Sequence, residues 1–143
     1  MSRFKRPESV LVLICTPQNQ VLMLERQTPE GFWQSVTGSL RWGETALQAA
    51  AREVYEETGI RAGAALQDLG HSERFRIVPP WRARYAPHAR FNTEHWFLLR
   101  LPSRRLVRLS PREHCDYRWL GSAQAERLAF SSTNAKVIRL YCR

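Results

Sequence analysis

The 143-residue chain is poor in several features that would settle its class at once. Its three cysteines, Cys15, Cys115 and Cys142, are an odd number with no CxxC spacing. That speaks against a disulfide framework or a thiolate zinc site and suits a reduced, cytoplasmic protein. The longest apolar run, Val10 to Cys15, is six residues, against the roughly 20 needed to span a bilayer. Thr16-Pro17-Gln18-Asn19 follows that run with no small-residue cleavage site, so no secretory leader is expected. There is no repeat, no low-complexity stretch, no Walker A loop and no Ser-His-Asp order. His71, His88, His95 and His114 are dispersed without metal-ligand spacing. Lysine is scarce as well: only Lys5 and Lys136 stand among 22 basic residues. Against 13 acidic residues these leave a net charge of +9, a surface that attracts polyanions without naming one. So strong an arginine bias is also what a GC-rich coding sequence produces.

What is present suffices for a packed core: 43% hydrophobic residues, 10% aromatic, one continuous domain expected over residues 1–143. Ser9 to Cys15 and Gln20 to Arg26 read as strands of a hairpin turning at Thr16 to Asn19. Phe32 to Thr37 reads as a short strand ending at Gly38. Residues 45–58 are the best helix, with Leu47, Ala50, Ala51, Val54 and Thr58 on one face. Thr45 or Glu44 can cap its start and Gly59 its end. Strands are predicted over 66–78, 93–101 and 117–120, a helix over 133–141, and a long functional loop over 79–92. Strands on both sides of a central helix give an α+β sandwich.

The chemistry concentrates in that helix. Glu44, Glu53, Glu56 and Glu57 supply four of the 13 acids within 14 positions. Glu53, Glu56 and Glu57 share one helical ridge, where bare carboxylates repel and a hard divalent cation relieves them. Arg52 precedes Glu56 by one turn and can hold it. An unremarkable solvated acidic face has the same composition, so the spacing has to decide. Gly38, five residues, Glu44, seven residues, then Arg52-Glu53-Val54-Tyr55-Glu56-Glu57-Thr58-Gly59-Ile60 fills all nine constrained positions of the 23-residue Nudix box. The chain resembles a Nudix hydrolase. The resemblance implies a Nudix-type α/β/α sandwich with a mixed sheet and hydrolysis of a phosphoanhydride with a divalent cation, Mg²⁺ or possible Mn²⁺.

Further matches carry the resemblance to the folate-pathway branch of the family, which acts on a pterin triphosphate. They are Lys5-Arg6-Pro7, Val21 to Arg26, Phe32 to Gly38, Arg84-Tyr85-Ala86-Pro87, Asn92-Thr93-Glu94, Trp96-Phe97 and Glu113-His114 with Tyr117 and Trp119-Leu120. Departures occur at Arg41-Trp42, where an acidic pair is usual, at Arg76, and at Ser132-Thr133. By this resemblance Glu53 and Glu57 bind the metal, with Glu56 and Glu113 ligating or supporting. Glu53, Glu56, Glu57 and Arg52 form the catalytic set. Lys5, Arg26, Thr37, Phe75, Arg76, Ile77, Val78, Glu113 and Ser131 form the substrate site; for Phe75, Ile77 and Val78, strand core is a competing role.

The expected partner is a small triphosphate, with no membrane and no obligatory nucleic acid. The composition sets no oligomeric state. Other nucleotide-cleaving Nudix activities, on nucleoside triphosphates or dinucleoside polyphosphates, are the alternative. A non-catalytic nucleic-acid-binding module built on Arg74, Arg76, Arg82, Arg84 and Arg90 is the remote one.

Overall fold

The computed structural model describes residues 3–79 and 81–142. Pro80, within the loop expected over 79–92, lies outside them. In chain order the elements are β1 (Glu8–Cys15), β2 (Gln20–Arg26), β3 (Trp33–Gln34), β4 (Val36–Ser39), α1 (Ala46–Thr58), β5 (Leu66–Arg76), β6 (Phe91–Arg100), β7 (His114–Gly121), α2 (Ser122–Leu128) and α3 (Ser132–Tyr141). Single 3-10 turns occur at Gly63–Ala65 and Trp81–Arg84.

One strand organises the sheet. Val10 to Cys15 is apolar at every position and buried on both faces, as a central strand must be. Along one edge β1 pairs in parallel with β6 from Glu8 to Cys15. Its other edge is divided. β4 pairs antiparallel with Ser9 to Val12, and β2 takes over at Cys15. β2 continues to β7 and β3, and β5 flanks β6. The sheet therefore forks beside β1. Val10, Val12 and Ile14 pack under α1, while Leu11, Leu13 and Cys15 pack under α2 and α3. This period-two division of one strand between two cores gives the expected α/β/α sandwich with a mixed sheet.

Four details depart from the sequence reading. The strand expected over 32–37 breaks at Ser35 into β3 and β4, which join different prongs of the fork. The break is held by Asn134 on α3: its Oδ1 accepts from the Ser35 N–H at 2.8 Å and its Nδ2 donates to Ser35 Oγ at 2.9 Å. Helix α2 was not foreseen; only Ala125 of it is buried, and it has no side-chain cap. The strand expected over 66–78, β5, ends at Arg76, short of Val78, so Ile77 and Val78 lie in the following loop. On α1, Thr45 is the cap, in a reciprocal capping box with Gln48, and Gly59 ends the helix at φ +76°. Yet Leu47, assigned to the buried face, is half exposed. The buried face instead runs Ala49, Ala50, Glu53, Val54, Glu57, Thr58. Two carboxylates occupy positions that a hydrophobic periodicity reserves for apolar residues.

Among the described residues no helix is long and apolar enough to cross a membrane. The three cysteines are free, Cys15 and Cys142 within the core and Cys115 exposed.

Candidate active site

A cavity of about 1140 Å³ opens at the fork, lined from both prongs: Thr37 and Gly38 on β4, Arg26 on β2, Gln34 on β3 and His114 on β7. The buried carboxylates of α1 form part of its floor, and Lys5 of the N-terminal segment and Phe75 to Val78 of β5 and its following loop form its walls.

Arg52 is the hub of the acidic cluster. All five of its N–H groups donate. Nε and Nη2 grip the Glu44 carboxylate at 2.7 and 2.8 Å, Nη1 bonds Glu53 at 2.7 Å and Glu56 at 2.8 Å, and Nη2 also reaches the Ser39 carbonyl at 3.1 Å. The planar fork makes this possible where a lysine ammonium could not. The Arg52 guanidinium holds Glu44 down at about 2. Glu44 in turn accepts from the Arg41 N–H at 2.9 Å, so one ion cluster fixes the loop between β4 and the helix. Gly38 is required by close approach: a Cβ there would collide with the Glu53 carboxyl.

Glu57 is built differently. It is 1% exposed, and neither carboxyl oxygen has a hydrogen-bond partner among the described residues. The nearest ring nitrogen, His114 Nε2, stands 3.9 Å away. Burial, then the neighbouring Glu53, then the charge of Glu113 push the Glu57 carboxyl well above the usual range. Glu113, at the loop before β7, is raised by burial and by the charges of Glu53 and Glu56. Its carbonyl receives the Gln27 N–H at 2.9 Å, which pins that loop to the end of β2. A buried carboxyl with two idle oxygens, ringed by further carboxylates, suits a hard divalent cation. Such ions use one or two protein carboxylates and complete their shell with water and phosphate. Among the described residues no three His, Cys, Asp or Glu side chains already stand as a closed ligand set, and Glu53 Oε1 is taken by Arg52.

Of the other sequence candidates, Lys5, Arg26, Thr37, Phe75, Arg76, Ile77, Val78 and Glu113 all line the cavity, and Glu56 and Ser131 do not. Glu56 is exposed at the outer side of Arg52, and Arg41 approaches it at 3.5 Å. Ser131 caps α3, its Oγ accepting from the Asn134 N–H at 3.1 Å. Thr37 Oγ1 donates to the Val10 carbonyl at 2.9 Å. Arg76 stacks over Phe91 with its Cζ 5.4 Å from the ring centre. Lys5 is lowered by burial and by the charge of Arg84, against the pull of Glu53.

The structure adds residues that sequence reasoning passed over. His114, read as dispersed and without a ligand role, is buried beside Glu57 with the Gln34 amide 3.4 Å from its Nε2. Burial and the charge of Arg26 lower it to about 4, so its ring is neutral at physiological pH. Asn92 and Glu94 on β6 also line the cavity. No local spacing could reveal these, because the proximity is created by strand pairing. Finally, the N-terminal segment is clasped across the mouth. Trp42 Nε1 donates to the Phe4 carbonyl at 2.7 Å, Arg6 donates to the Arg41 and Glu44 carbonyls, and the Lys5 N–H donates to the Arg84 carbonyl at 2.8 Å.

The chain matches the family model described as NUDIX domain over residues 5–141. It is 44% identical over 142 residues to a dihydroneopterin triphosphate diphosphatase of Escherichia coli, covering 96% of this chain and 93% of that one. To the protein of that name from Haemophilus influenzae it is 39% identical over 145 residues, covering 99% and 90%. The solved structure of the E. coli dihydroneopterin triphosphate pyrophosphohydrolase superimposes with a TM-score of 0.89 at 43% identity, over 99% of this chain and 98% of that one. A Caenorhabditis elegans Ap4A hydrolase, 22% identical, shares the fold with a TM-score of 0.70. With its intact box folded into loop and helix at the cavity floor, the chain belongs to the Nudix hydrolase family.

Proposed function

We propose that this hydrolase cleaves dihydroneopterin triphosphate between the α and β phosphorus atoms, giving dihydroneopterin monophosphate and pyrophosphate, with Mg²⁺ as its metal. Near-full-length identity of 39–44% to enzymes of that name carries the substrate. The orphaned Glu57 carboxylate at the floor of a cation-lined cavity supports the chemistry.

Hydrolases of this family use divalent metal ions. Glu53 and Glu57 would hold the ion, with Glu113 and Glu56 ligating or supporting. When bound, such an ion neutralises phosphate oxygens and lowers the pKa of the water that it holds. The chain's own residues do the rest. Lys5, Arg26 and Arg84 line the same cavity and draw in and orient the triphosphate. Arg52 fixes Glu53 relative to Glu44 and Glu56, so the carboxylates meet the substrate without reorganising. Neutral His114, beside Glu57, adds no competing positive charge there. Phe75, Ile77 and Val78 offer an apolar wall to the ring. One carboxylate among Glu53, Glu56 and Glu113 takes the proton of the attacking water; the one bound most directly to metal is the poorest base, because the cation depresses its pKa.

The test is release of pyrophosphate from dihydroneopterin triphosphate by the purified protein, with and without Mg²⁺. A kcat/KM at least about tenfold above that for dGTP is expected, about 1.4 kcal/mol in the transition state. Equal or better turnover of dGTP or a dinucleoside polyphosphate would reject the substrate and leave the family chemistry intact.

A further inference from the structure

Four carboxylates line the main cavity, and three of them, Glu53, Glu57 and Glu113, belong to the acidic cluster. The fourth, Glu94, is on β6 and is 6% exposed. Its Oε1 accepts from Trp96 Nε1 at 3.1 Å. That donor is neutral, and no cation stands within ion-pair distance of Glu94 among the described residues. Its cross-strand neighbour on β5 is another acid, Glu73, whose charge is met by Lys136. A buried carboxylate with one neutral donor and no counter-charge is expensive to keep. Two residues along β6, on the same face, Asn92 is 3% exposed. Its Nδ2 donates to Ser9 Oγ at 2.7 Å, which leaves Oδ1 buried with no partner. The cavity thus carries a pair of acceptors, Glu94 and Asn92 Oδ1, that neither the cationic triphosphate site nor the acidic cluster uses.

We propose that Glu94, with Asn92 beside it, reads the donor edge of the substrate's ring. The 2-amino-4-oxopyrimidine half of a pterin presents an amino group and a ring N–H side by side. A carboxylate accepts both in a two-point, charge-assisted pair. The inference rests on the substrate reading above and deepens it: Glu94 becomes the residue that separates rings with a guanine-like edge from all others. Sites that satisfy buried acceptors with a substrate N–H reject analogues lacking it far more strongly than apolar pockets reject a missing methylene.

Glu94→Gln is the discriminating variant. It keeps the volume and an oxygen for Trp96, but turns an amide N–H₂ toward the donors of the ring. The KM for dihydroneopterin triphosphate should rise at least about tenfold with kcat within about threefold. A second readout uses dGTP and dITP, which differ only in the 2-amino group, as substrates or competitive inhibitors. The wild type should favour dGTP by about tenfold, and Glu94→Gln should reduce that ratio to about two. A folded Glu94→Gln with unchanged KM and unchanged ratio overturns the proposal. So does a wild-type ratio near one, a measurement that needs no variant. Discrimination that collapses in Glu94→Gln, in a protein that ignores dihydroneopterin triphosphate, would overturn the substrate reading and support the role of Glu94.

Discussion

Helices α1 and α3 lie on opposite faces of the same sheet, and each buries polar side chains, with opposite results. On α3, Asn134 is 1% exposed and fully engaged, its amide closing two bonds with Ser35 across 99 residues of chain. On α1, Glu57 is equally buried and its oxygens are idle. Satisfied buried polarity specifies structure. Unsatisfied buried polarity is a cost that the fold carries for a ligand. The helices also differ in what anchors them: α3 by a side-chain cap and apolar contacts, α1 by a capping box and the Arg52 ion cluster.

The comparison can be broken most sharply at Glu57. Glu57→Gln keeps the shape and removes the charge, so turnover should fall at least about 100-fold, about 2.7 kcal/mol of barrier. Melting of the metal-free protein should move upward. Near-wild-type turnover at saturating Mg²⁺ would dissolve the distinction between the helices. The mirror experiment is Asn134→Ala. It strands the Ser35 N–H and should lower stability by about 2–3 kcal/mol in denaturant unfolding, with α3 rather than chemistry as the casualty.

The same contrast has a pH signature. Because the folded pKa of Glu57 lies above its ordinary 4.5, the native state holds the proton more tightly than the unfolded chain. Its contribution is intact below pH 4.5 and is lost as pH rises through the folded value. His114, lowered from 6.5 to about 4, acts oppositely and only between those limits: its contribution is lost as pH falls through that window. Whatever part of the Glu57 titration lies above the His114 window should therefore show in the metal-free protein as stability lost with rising pH, by at most about 1.4 kcal/mol per unit for one proton. Saturating Mg²⁺ or Glu57→Gln should flatten that slope in melts across a pH series.

Smaller effects sharpen the picture. Arg52→Ala should reduce kcat about tenfold by releasing Glu53 and Glu56, about 1.4 kcal/mol, partly recovered at high Mg²⁺. Among the arginines of residues 74–90, Arg84→Ala should raise KM about threefold and weaken its salt dependence. Arg90→Ala should not, because Arg90 lines an adjoining cavity and not the one that holds the acidic cluster.

Much of the acidic cluster was legible because its parts are close in sequence. The spacing from Gly38 to Ile60 set the loop, the helix, its glycine stop and the Arg52–Glu56 contact, and left Thr45 and Glu44 as alternatives for the cap. The division of β1 between two cores could be anticipated from its continuous apolar run. The misread positions share a cause. Hydrophobic periodicity places Leu47 inside because it cannot credit a carboxylate with a buried position, and on α1 Glu53 and Glu57 hold two such positions. Ser35 reads as mid-strand because its partner, Asn134, is 99 residues away. His114, Asn92 and Glu94 carry no local pattern; strand pairing alone brings them to the cavity. Helix α2 escaped notice because it buries one alanine and has no capping side chain to announce it.

The clasp across the cavity mouth has a practical bearing on how the protein is handled. Phe4 is tied to Trp42, and Lys5 to Arg84, so the backbone just ahead of the first strand is part of the cavity's entrance. An affinity tag joined upstream of these residues would hang at that entrance, and kinetics measured with it in place would report tag and enzyme together. A tag joined after α3, whose Cys142 end packs in the opposite core, leaves the doorway as the chain itself makes it.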